Sequence, residues 1–162
     1  MITYQTFSLA EANLILDAAQ KKAEEIGCPE VLCVADAAGY PIALRRLDGG
    51  KVTSVQIAMN KAFTAAGHRK ATHNYKNAYP GEEAFGIFTQ HEGRFTVFVG
   101  GFPISVDGKV VGSIAASGGN GEQDTAVCEA GIAAFMKHIG KYELGAAGCV
   151  LRDAPTALLR MR

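Results

Sequence analysis

Neither sign of charge is in excess in this 162-residue chain: 16 lysines and arginines are matched by 16 aspartates and glutamates. A surface without a basic field has little with which to neutralise phosphates, so nucleic acid and anionic lipid are not expected partners. No apolar run is long enough to span a bilayer. The opening Met1-Ile2-Thr3-Tyr4 has neither the basic nor the apolar region of a secretory signal, and a cytoplasmic protein is expected. The four cysteines, Cys28, Cys33, Cys128 and Cys149, contain no C-x-x-C pair. That spacing removes zinc-ribbon and thioredoxin-like readings and leaves reduced, buried thiols. His68 and His73 stand five apart, which a continuous helix does not turn into a metal pair, so no metal site is expected.

What remains is a chain with 48% hydrophobic residues and a length that suits one domain with a self-sufficient core. Ser8-Leu9-Ala10-Glu11 is a capping box, followed by apolar residues at helical spacing until Gly27 and Pro29. Residues 31–35 are apolar and rich in β-branching, which predicts a buried strand, and residues 41–47 predict its returning partner. A second helix is predicted from about residue 53 to 70. Its Val55, Ala58, Met59, Ala62 and Ala65 form a narrow face of small side chains, suited to the core or to a subunit contact. Residues 72–94 are irregular, with a short helix expected near residues 82–88. Residues 95–106 and 109–117 form a second predicted hairpin around Asp107-Gly108, a pair suited to a type I′ turn. A glycine-rich loop, residues 117–121, leads into a last helix capped by Asp124 or a neighbour and ended by Gly140. The order of hairpins and helices predicts an α+β sheet covered by helices. Residues 1–140 are read as the domain and residues 141–162 as a C-terminal extension.

Four stretches in this order resemble one family. They are Val34-Ala35-Asp36-Ala37-Ala38-Gly39 with Arg45-Arg46-Leu47-Asp48-Gly49; Lys61-Ala62-Phe63-Thr64-Ala65-Ala66; Gly100-Gly101-Phe102-Pro103-Ile104 with Asp107-Gly108-Lys109-Val110-Val111-Gly112; and Ser117-Gly118-Gly119 with Asp124 and Val127. Together they are similar to the GlcG/HbpS/PduO-C-like family. The resemblance implies a profilin-like antiparallel sheet of five strands flanked by helices, and a homo-oligomer. It also implies a small-molecule ligand, with haem or a related tetrapyrrole foremost because some members bind haem. It carries over no fixed iron ligand, and residues 72–94 match no part of the pattern.

The residues themselves offer several chemistries. The loop at Gly118, Gly119 and Gly121 opens a helix, where unpaired amides and the helix dipole favour an anion; a plain turn capped by Asp124 is the alternative. Arg46 can grip a carboxylate, or pair with Asp48. Lys61, one turn from Thr64, can anchor an anion or sit in an ion pair. His68, His73 and His91 are the candidate iron ligands or acid–base groups, and Tyr75, Tyr79, Phe85, Phe88 and Phe95 can wall a flat apolar ligand. No nucleophile elbow occurs, and nothing selects one acid–base residue among His68, His73, His91, Glu82 and Asp124. A ligand-binding module and a small catabolic enzyme acting on a carboxylate or hydroxylated aromatic therefore both remain open, as does a structural partner for another enzyme.

Overall fold

A computed structural model of the chain describes residues 3–140, together with the backbone of residues 142–145 and 148–151. Four strands make one antiparallel sheet in the order β2-β1-β4-β3: β1 (Val31–Asp36), β2 (Pro41–Arg46), β3 (Gly101–Val106) and β4 (Lys109–Ser117). Helices α1 (Leu9–Glu25) and α4 (Gly121–His138) pack together over one face, and α2 (Thr53–Gly67) covers the other. The apolar run of β1 is continuous because both faces of the strand are covered. Leu32 and Val34 join Ile15, Leu16, Phe102, Ile114, Val127 and Phe135 under α1 and α4. Val31, Cys33 and Ala35 meet Ala58 and Ala62 of α2. The small-residue face of α2 is thus core at Ala58, Ala62 and Ala65, while Val55 and Met59 are only partly covered.

Local signals fared well where they set caps and turns. The Ser8–Glu11 capping box is formed. Asp107 and Gly108 take φ of 49° and 73°, the positive pair a type I′ turn requires. Asn120, not Asp124, caps α4, accepting from the amides of Glu122 and Gln123. Asp124 lies buried inside the first turn.

Among the described residues the sheet holds four strands, where five were expected. No described strand joins the β3 edge, where Pro103 has no N–H to donate and Thr72 already occupies the strand's start. The Thr72 amide donates to Gly101 O at 3.0 Å, and Gly101 N donates to Thr72 Oγ1 at 3.0 Å. The strand expected from residue 95 begins only at Gly101, since Thr96 spends its amide on Thr64 Oγ1 instead of a ladder. The helix expected near residues 82–88 is a series of turns ending in a 3-10 turn, Ile87–Thr89. A single turn follows, α3 (Gln90–Gly93), in which His91 and Glu92 take left-handed φ of 52° and 59°. Within the expected extension, β5 (Tyr142–Gly145) and β6 (Gly148–Leu151) pair as a separate two-stranded sheet. The rest of that extension lies outside the described residues.

Candidate functional site

Three ionisable side chains, from α2, from α4 and from the residue just before β1, meet beneath the glycine-rich turn. Lys61, on the sheet-facing side of α2, sends its Nζ to Asp124 Oδ2 at 2.6 Å and to Ala116 O at 2.8 Å. Both residues are nearly sealed, at 2% and 5% side-chain exposure. Desolvating such a pair offsets much of its attraction, so it is a costly way to hold a fold together. Glu30, the last residue before β1, is fully buried beside the pair, and neither carboxylate oxygen meets an N–H or O–H donor, the Cys28 thiol acting on it as a weak one. Burial first, and then the charge of Asp124, push its carboxyl up to about 7. The carboxyl is therefore poised to gain and lose a proton near neutrality.

Backbone glycines seal this cluster. At Gly100 (φ 116°), a Cβ would strike the Lys61 ammonium and sit 2.7 Å from Ala116 O and 2.8 Å from Asp124 Oδ2. The Phe98 ring lies 5.2 Å from Lys61 Nζ and is itself half-exposed, so it roofs the ammonium. At Gly118, a Cβ would lie 2.8 Å from Pro29 O; at Gly119, 2.9 Å from Cys28 Sγ. Close packing against residues 28–30, rather than approach to a ligand, explains both glycines. Gly121 opens α4 against Val99. The expected anion cradle is largely spent internally: Gly119 N donates to Asp124 Oδ1, Asn120 N to Gln123 Oε1, and the amides of Glu122 and Gln123 to Asn120 Oδ1. The helix start thus offers no open row of donors. Lys61, read as anion anchor or ion pair, is the ion pair.

Arg46 and Asp48 line an open cleft of about 660 Å³ between the end of α1 and the end of β2. Gln20, Glu24, Cys28 and Arg45 share it. No ion pair joins Arg46 to Asp48. Arg45 is committed to Asp17 at 2.6 Å, leaving Arg46 as the cleft's uncommitted guanidinium. Cys28 connects the two regions, because its thiol borders the cleft and faces Glu30. Burial, and then the charge of Glu30, push that thiol up.

The histidines stand apart from the buried cluster. His68 is exposed and meets Tyr75 at a tilt and Phe95 edge-on, at 5.4 and 5.1 Å between ring centroids. His73 packs on Phe102 with its Nδ1 buried and unbonded, and burial lowers its pKa, which keeps the ring neutral. His91 is exposed, its ring edge-on to Phe63 at 5.4 Å. Arg94 lies 3.9 Å over the same Phe63 ring and 5.7 Å from that of Tyr40. Of the expected aromatic wall, Tyr75 and Phe95 are buried against each other, whereas Tyr79, Phe85 and Phe88 are exposed.

Glu30, Cys28 and Arg94 were not legible as site residues. A lone glutamate before a strand carries no motif; its one signal is a charge directly abutting an apolar run.

Comparison with known proteins agrees with this architecture. Residues 7–133 match the family model described as "Haem degrading protein HbpS-like". An uncharacterized 15.0 kDa protein in the dhaT-dhaS intergenic region of Citrobacter freundii is 37% identical over 133 residues, 82% of this chain and 94% of that one. The crystal structure of Klebsiella pneumoniae protein ORFY aligns with a TM-score of 0.81 at 32% identity, covering 83% of this chain and 94% of its own. A PduOC:heme complex aligns with a TM-score of 0.76 at 29% identity, covering 80% and 94%. With the family model spanning most of its length, the chain belongs to the HbpS-like family.

Proposed function

We propose that the protein binds haem or a related tetrapyrrole, as a homo-oligomer, with His91 as the iron ligand and Arg94 meeting a propionate. The likeness to a relative solved as a haem complex carries this reading. The residues present fit the group. His91 is an exposed imidazole held by two successive left-handed residues, a strained backbone of the kind found where a side chain is aimed. Arg94 beside it is a planar fork suited to a carboxylate, and Phe63 and Tyr40 add flat apolar surface. Bound there, haem would bring redox-active iron, which no side chain supplies. A hemin titration followed by absorbance tests this. A saturable Soret band is expected, lost in His91→Ala and weakened in Arg94→Gln. Absence of any saturable spectral change rejects it.

One observation favours a second reading, a small acid–base enzyme acting on a carboxylate-bearing substrate. Glu30, Lys61 and Asp124 form a sealed ionisable cluster of the kind that serves proton transfer, next to a cleft where Arg46 is free to hold a carboxylate. Turnover without haem, abolished in Glu30→Gln, would support it over the first.

A further inference from the structure

The floor of the Arg46 cleft joins two groups that haem binding does not use. Cys28 borders the cleft, and its thiol meets the side chain of Glu30, a fully buried carboxyl. The thiol is the neighbour from which Glu30 can take a proton on the cleft side. Arg46 stands on the same cleft with no hydrogen bond or ion pair among the described residues, whereas Arg45 is held by Asp17, Gln20 and Asn13.

We propose that Cys28 and Glu30 form a nucleophile–base pair that takes small electrophiles bearing a carboxylate, with Arg46 holding the carboxylate. In the step, the thiol proton passes to a Glu30 carboxylate oxygen as the sulfur electron pair bonds to the electrophilic carbon. At a carbon bearing a halide, the carbon–halogen bond breaks and the halide leaves with its electrons. At an α,β-unsaturated carbonyl, the π pair moves to the α-carbon, which takes the proton back from Glu30.

The surrounding charges suit this division of labour. Asp124 and Cys128 face Glu30 from α4, Lys61 faces it from α2, and Lys51 faces Cys28 from the loop before α2. Cys28 on its own stays a thiol, because burial and Glu30 push its pKa up. It needs a base to react, and a carboxylate ionising at about 7 is matched to that task at neutral pH.

Alkylation of the full chain by iodoacetate and iodoacetamide, mapped by peptide mass spectrometry between pH 6 and 9, tests the pair. Cys28 is expected to react faster with anionic iodoacetate than with iodoacetamide, its rate rising through about pH 7 and then levelling. Glu30→Gln, with its fold checked by circular dichroism, should slow both reagents about a hundredfold and erase the pH rise. Arg46→Gln should remove the preference for iodoacetate and leave the pH profile intact. The proposal is overturned if native Cys28 stays unmodified while the urea-unfolded chain reacts, or if Glu30→Gln reacts at the wild-type rate. No haem enters the assay, so its outcome is separate from that of the hemin titration.

Discussion

Replacing Glu30 by glutamine should change how stability depends on pH between 4.5 and 8. In the fold this carboxyl is raised from 4.5 to about 7, by burial first and by the charge of Asp124 second. In the unfolded chain it titrates at its ordinary value. Between pH 4.5 and 7 the folded protein therefore holds a proton that the unfolded chain has released. Stability falls as pH climbs through that window, and the loss is complete above about pH 7. At 1.36 kcal/mol for each pH unit separating the two pKa values, the full loss is about 3 kcal/mol, for a group with no solvent-exposed surface. Glutamine keeps the shape and carries no proton to titrate. Urea denaturation of wild type and Glu30→Gln at pH 4.5, 6, 7 and 8 should show the variant gaining about 3 kcal/mol relative to wild type across the series. In a domain of this size that corresponds to a melting-temperature gain of about 6–12 °C. Parallel stability curves for the two proteins would refute the assignment of a buried, proton-binding carboxyl.

Removing one partner of the Lys61–Asp124 pair strands a charge in the interior, so Lys61→Met alone should cost about 3–5 kcal/mol by chemical denaturation. The double variant Lys61→Met, Asp124→Leu should recover most of that loss, because no unpaired charge remains. Asn120→Ala deletes a side chain that accepts from two amides at the start of α4 and should cost about 1 kcal/mol in the same assay.

The candidate site was half legible before any coordinates. Lys61, Asp124, Gly118 and Gly119 stand in motifs whose residue types suggest a polar centre, and the structure gathers them. Their roles were not legible. Lys61 and Asp124 are 63 positions apart, and only the seating of α2 and α4 on opposite faces of the sheet, both against the end of β4, brings Nζ to 2.6 Å from the carboxylate. Once they meet, the turn's amides serve Asp124 and Asn120 instead of a ligand. Arg46 and Asp48 look like a natural ion pair two residues apart, yet on the structure they border a cleft without bonding.

The amino-acid order by itself determined the features whose causes lie within a few residues. The Ser8–Glu11 box, the β1 run, the Asp107-Gly108 turn and the Gly27 stop after α1 each rest on backbone preferences or on a bond spanning three or four positions. Tertiary structure alone decided what depends on distant partners. Residues 95–100 have strand composition, but Thr64 claims the Thr96 amide that a ladder would need. Glu30 resembles any surface glutamate until α1, α4 and the 118–119 turn close around it. Burial and the charge of Asp124, neither written in the local sequence, then make it a group that titrates near neutrality.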